Sequence, residues 1–150
     1  MITIDNDYLI NERGLDLRAH LKEYDNPSNM AEIFLKQLSH RVYDFIVNNS
    51  VIFDTQEKVD NYLNADPKRV EIFKRALAEQ TLYLVINGDF TVLAPDPGVS
   101  YNDWLRRRFS PATVDILKRL GFLRQVVSDQ EVYWNDPIFR KAYNRSTSNR

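Results

Sequence analysis

The sequence predicts a mainly α fold: an antiparallel helical bundle with a long central helix, an extended loop or hairpin near 89–100 and a C-terminal tail. Three observations predict it. The stretch Asp66 to Asp89, DPKRVEIFKRALAEQTLYLVINGD, runs without Gly or Pro from Pro67 to Gly88. Apolar residues recur there, and again over 29–48, at the 3/4 spacing of a buried helical stripe. The links between these stretches are polar and a few residues long, which favours antiparallel neighbours.

The central stretch is punctuated at both ends. The Asp66 carboxylate suits an N-cap, because it can accept from free first-turn amides. Pro67 then occupies the first helical position, where its missing N–H costs nothing. Gly88 can turn left-handed and close the helix, leaving about twenty residues, roughly 30 Å of rod. Val70, Phe73, Leu77 and Leu84 form the stripe, and Ile72, Ala76 and Tyr83 widen it. A helix apolar on more than one side is expected at the centre of a bundle.

In chain order, MITI reads as a short edge strand, and a helical piece follows through Leu15, Leu17, Ala19 and Leu21. Ser28 or Asn29 starts the next helix, which runs to about Asn48. Met30, Phe34, Leu38, Val42 and Phe45 make its apolar line, with Ile33 and Ile46 beside it. Val51-Ile52-Phe53 reads as a buried connector, and Asp54 or Thr55 caps a short helix carrying Val59, Tyr62 and Leu63. After Gly88, DFTVLAPDPGVS reads as a strand or extended loop ending in a turn. Ser100 with Asp103 is a capping box for YNDWLRRRF. Ser110-Pro111 opens a last helix with Val114, Leu117 and Leu120, which Gly121 closes. Val126-Val127 is a candidate strand. Residues 1–127 are read as one helical domain and 128–150 as a tail with Tyr133, Trp134, Phe139 and Tyr143 and a polar end, RSTSNR, expected to stay unfolded when free.

Composition narrows the function classes. The 150 residues suffice for one domain with its own core. With no cysteine, disulfides and thiolate metal sites are excluded. No apolar run approaches a membrane span, and MITIDNDYL lacks the basic and apolar regions of a signal peptide, so a soluble protein made in the cytoplasm is expected. The net charge of −1 hides an asymmetry: residues 1–66 carry 6 bases against 12 acids, and residues 67–150 carry 14 against 9. These are either unrelated solvated faces or opposite-signed flanks that attract head-to-tail, a contact that closes into a ring if the rotation permits.

Catalytic and metal-binding patterns do not assemble. Asp5, Asp7 and Asn11 suggest a calcium loop, but Ile10 replaces the required glycine and Asp16 the bidentate glutamate. His20 and His40 lack a second histidine or a cysteine one helical turn away. Gly98-Val99-Ser100-Tyr101-Asn102 lacks the second glycine of a nucleophile elbow. Glu71 and Glu79 share a helix, with solvent exposure the default for both. No catalytic residue, metal ligand or cofactor is expected. The most basic local feature is Arg106-Arg107-Arg108 with Lys118, Arg119 and Arg124, interleaved with Trp104 and Phe109. It is either a solvated or subunit-facing surface or a nucleic-acid face. Gln80, mid-helix, is either exposed or buried; if buried, its amide needs partners such as the Tyr83 hydroxyl or a loop backbone.

FKRALAEQTLYLVINGD resembles the signature helix of tailed-phage head–tail connector proteins, also called adaptor or head-completion proteins. The matching positions are Ala76, Gln80, Tyr83, Asn87, Gly88 and Asp89. FSPATVDILKRLGFL is similar to that family's later helix, through Ser110, Pro111, Leu117, Gly121 and Phe122. Helix 29–48 matches in amphipathic character, while 90–109 and 128–150 lie outside the resemblance. The resemblance implies a non-catalytic virion subunit, made in the host cytoplasm and placed at the neck. There it forms a homo-oligomeric ring, usually a dodecamer in that family, on the portal protein and presents a surface to a stopper or tail-completion protein. On this reading Tyr133, Trp134, Ile138 and Phe139 dock onto a neighbour or the portal. Arg106, Arg107 and Arg108 face an acidic neighbour or channel DNA, and no membrane is involved. The alternative is a small DNA-binding or regulatory module using 101–124.

Overall fold

In the computed structural model, which describes residues 1–123, each α-helix begins at a side chain that accepts from a free first-turn amide. Asp5 caps α1 (Asn6–Arg13), Asn26 caps α2 (Pro27–Asn49) and Thr55 caps α3 (Gln56–Asn64). Asp66 caps α4 (Pro67–Ile86), Ser100 caps α5 (Tyr101–Arg107) and Ser110 caps α6 (Pro111–Arg119). Each such cap contributes about 1 kcal/mol and sets the start of its helix within a residue. Pro27, Pro67 and Pro111 follow their caps directly, where a missing N–H is harmless.

The ends are equally local. At α4 the Gly88 N–H donates to the Val85 carbonyl (3.0 Å) and the Asp89 N–H to Leu84 (2.8 Å), with Gly88 at φ +65°. Gly121, at φ +89°, ends the α6 segment through the same pair of bonds, to Lys118 and from Phe122 to Leu117. Both are Schellman closures, which need a residue tolerant of the left-handed region.

The mainly α class holds, with no strand among the described residues. Helix α4 is the central member, packed against α2, α3 and α6. Phe73, Ala76, Leu77 and Leu84 are buried on it; Val70 and Tyr83 are half-buried, and Ile72 lies at the surface. On α2 the buried line is Ala31, Phe34, Leu35, Leu38, Val42, Tyr43 and Ile46, with Met30 and Phe45 half-buried and Ile33 exposed. Tyr43 and Phe122 meet Phe73 edge-on, with ring centroids 5.4 and 6.1 Å away. Each fully buried side chain of this size contributes about 1.5–3 kcal/mol by leaving water.

Several expectations need correction. MITI is no strand; its Ile2 N–H donates to the Tyr43 hydroxyl (2.8 Å), a side-chain partner that replaces a ladder. The chain begins with α1, unannounced by apolar periodicity, and the expected helix through Leu15–Leu21 is only a 3₁₀ turn, Leu17–His20. The cause is Asn6, whose amide bonds both Asp16 Oδ1 (2.9 Å) and the Leu17 N–H (2.8 Å) and so competes with an α-helical start.

Val51 and Ile52 are not buried: they are 94% and 74% exposed. Ser50 Oγ accepts from the Phe53 N–H (2.9 Å), and this turn carries Phe53 inward while its neighbours point out. Residues 90–94 form turns rather than a strand, because the Asp89 carboxylate takes the Thr91 N–H (3.0 Å) and the Phe90 carbonyl accepts from Leu93 and Ala94. Glu79 is half-buried and paired with Arg13 of α1, whereas Glu71 is exposed as expected. Val126-Val127, the boundary at 127/128 and the tail lie outside the described residues.

Candidate functional site

Residues 108–110 leave α5 and enter α6 within the packed body, so the Arg108 carbonyl and the Ser110 N–H fall outside both helical ladders. Gln80 supplies them. Its side chain is 1% exposed; Nε2 donates to the Arg108 carbonyl (2.7 Å) and Oε1 accepts from the Ser110 N–H (2.9 Å). A primary amide carries a donor and an acceptor on one short plane, so one residue satisfies both sides of the corner. Of the two readings open in sequence, the buried one with loop-backbone partners is realised. Phe109, between the two bonded groups, is pressed into the core, stacked on Phe45 at 4.1 Å and edge-on to Trp104 at 5.9 Å.

One turn earlier on α4, the buried Thr113 hydroxyl donates to the Ala76 carbonyl (3.3 Å). A side chain larger than Ala at 76, which is 0% exposed, would hold α6 away. One turn later, the Asn87 amide donates to the Tyr83 carbonyl (2.7 Å), and Gly88 closes the helix.

Asp89 ends this line. One carboxylate oxygen accepts from the Thr91 N–H and hydroxyl, and the other from Arg108 Nη1 (2.9 Å). The Thr91 hydroxyl accepts in turn from Trp104 Nε1 (2.6 Å). Burial alone would raise the Asp89 pKa, but the Thr91 and Arg108 hydrogen bonds favour the charged form and hold it below the usual carboxylate value. Of the six positions that carry the resemblance, Ala76, Gln80 and Asp89 thus fasten α4 to the α5–α6 corner, while Tyr83, Asn87 and Gly88 act in the closure of α4 itself.

Beside the joint, the Arg41 guanidinium of α2 lies over the rings of Trp104 (4.4 Å) and Tyr101 (4.7 Å). Burial lowers its pKa from the ordinary arginine value. The Tyr101 hydroxyl donates to Asp44, and burial together with that bond raises its pKa. Sequence patterns missed this contact, because Arg41 and Tyr101 meet only when α5 lies across α2.

The arginine run does not act as one cluster. Arg108 is turned inward onto Asp89, with its side chain 28% exposed. Arg106 and Arg107 are exposed, and Arg106 pairs with Asp103 (2.8 Å). Arg106 also lines a groove of about 420 Å³ with Asn48, Asn49, Asn102 and Leu105. A second groove, about 480 Å³, lies between the N-terminal segment and α2, lined by Ile4, Asp5, Glu32, Leu35 and Lys36 among others.

Among the described residues no group of three or more His, Asp or Glu is placed to hold a metal ion, and no helix is long and apolar enough to cross a membrane. Tyr133, Trp134, Ile138, Phe139 and Arg124 lie outside the described residues. Comparison with protein-family models, curated proteins and solved structures returns no match for this chain.

Proposed function

We propose that this chain is a head–tail connector subunit of a tailed phage: a virion protein of the neck, made in the host cytoplasm, that assembles as a ring on the portal protein and receives a stopper or tail-completion protein. The observation that carries this reading is a joint built by three of the six signature positions. Ala76, Gln80 and Asp89 fasten α4 to the α5–α6 corner, while Asn87 and Gly88 close α4 at its surface end and Tyr83 accepts the Asn87 amide through its carbonyl. A residue set devoted to holding three helices in fixed register suits a rigid building block, which must present the same surface in every copy of a ring.

Opposite charge on the two halves of the chain supports head-to-tail contact between copies. In the assembled particle Tyr133, Trp134, Ile138 and Phe139 anchor the subunit to the portal or a neighbour, and the exposed Arg106 and Arg107 face an acidic neighbour or DNA. The test is to mix the purified chain with the portal ring of the same phage and measure native mass and negative-stain images. A ring of extra density on the portal supports the proposal; a portal unchanged at saturating chain concentration overturns it. Deleting 128–150 should abolish that density while the circular dichroism of the helical body persists.

The alternative, a DNA-binding module using 101–124, draws on the exposure of Arg106 and Arg107 and is opposed by the engagement of Arg108 with Asp89. A salt-dependent gel shift of duplex DNA by the isolated chain is the outcome that favours it.

A further inference from the structure

The two most exposed large apolar residues among those described are Val51, at 94%, and its neighbour Ile52, at 74%. They form the corner between α2 and α3. The next residue, Phe53, points inward, with its ring centroid 4.9 Å from Tyr62 and 5.0 Å from Phe122. Phe122 immediately precedes Leu123, where the described chain ends. The last described residue therefore adjoins a ring that touches Phe53, and Phe53 is one residue from the apolar corner. Ile86, the other strongly exposed aliphatic at 72%, has no such neighbour: it sits at the end of α4 where Phe90 meets Phe34 of the first half of α2.

Residues 124–150 follow Leu123 in the sequence and contain Tyr133, Trp134, Ile138 and Phe139. Nine residues, 124–132, span about 30 Å at most, ample to reach the corner near Leu123. A covalent connection this short gives the segment an effective concentration at the corner in about the millimolar range, far above that of a separate partner.

We propose that in the free subunit the chain's own segment 133–139 seats on the Val51–Ile52 corner. Two adjacent β-branched side chains beside a half-buried phenylalanine offer apolar surface that water would otherwise cover. Tyr, Trp and Phe bring large contact areas with polar tips that remain hydrated at a rim. This seating belongs to the isolated subunit and is independent of docking on a portal.

The absence of cysteine gives a clean background for the test. Full-length variants pairing Ile52→Cys with Trp134→Cys, and Ile52→Cys with Ile138→Cys, are oxidised mildly at several protein concentrations. A disulfide requires Cα atoms within about 7 Å, so it reports close approach. The expected result is a reducible bond within one chain in at least one pair, formed at a rate independent of concentration. Bonds only between chains would assign the corner to a second copy and overturn the proposal. A second measurement removes dependence on one geometry: hydrogen exchange of the 51–53 amides in the full chain and in a variant with Tyr133, Trp134, Ile138 and Phe139 all changed to Ser. Exchange several-fold faster in the variant supports the seating; equal rates overturn it.

Discussion

The Gln80 side chain accepts the Ser110 amide at 2.9 Å across thirty residues of sequence, and through it the middle of α4 holds the first residue before α6. With the Nε2 bond to Arg108 it satisfies two buried backbone groups that have no other partner of comparable reach. One amide thus helps to set the position of α6 on α4, beside the Thr113–Ala76 bond and the burial of Leu117.

Gln80→Leu keeps the volume and removes both bonds. It should destabilise the chain by about 2–4 kcal/mol, the cost of leaving a buried carbonyl and a buried amide unsatisfied. Urea unfolding followed by circular dichroism measures this. Gln80→Ala with a comparable loss, and Gln80→Glu with a loss that shrinks on acidification, would show that the polar bonds matter more than volume. In the Glu variant only the protonated acid can donate to the Arg108 carbonyl.

Asp89 has its pKa depressed in the folded chain, so it contributes stability that is fully present above the unfolded value near 4 and is lost as pH falls through the lower folded value. Comparing wild type with Asp89→Asn isolates this group from the other depressed carboxylates, Asp16, Asp54 and Asp103. The stability gap between the two should be largest at neutral pH and close as the pH falls through the lowered folded value. A gap independent of pH would mean that the carboxylate charge plays no part.

Arg108 and its two neighbours should separate on mutation. Arg106→Glu with Arg107→Glu changes exposed side chains and should move stability by no more than about 0.5 kcal/mol per site. Arg108→Glu places a carboxylate beside Asp89 and should cost about 2–3 kcal/mol. Thermal melts of the variants check this. If the exposed pair serves a neighbour or DNA, portal binding should weaken in the first variant although its melt is unchanged.

Gly88→Ala tests the α4 closure. Nothing lies within 4 Å of a Cβ added there, so the change is sterically free, and its cost of about 1 kcal/mol comes from holding φ at +65°. Gly88→Asn should lose less, because Asn tolerates the left-handed region. Equal losses by Ala and Asn in denaturant titration would argue against this conformational cause.

The sequence by itself determined where α4, α5 and α6 begin and where α4 and α6 close, and it placed the α3 cap to within a residue. The reason is locality: Thr55, Asp66, Ser100 and Ser110 cap amides two or three residues ahead, and helices close at Gly88 and Gly121 through bonds that span three and five residues. It was less informative before that point. There α1 carries little apolar periodicity, and Asn6 reaches ten and eleven residues forward to reshape the 3₁₀ turn. Only the tertiary structure decided that Gln80 is buried, that Arg108 faces inward onto Asp89 and that Val51 and Ile52 face outward. Each of those outcomes depends on packing or on a group brought from a distant part of the chain. Such meetings follow from how the helices pack, and spacing along the sequence does not encode them.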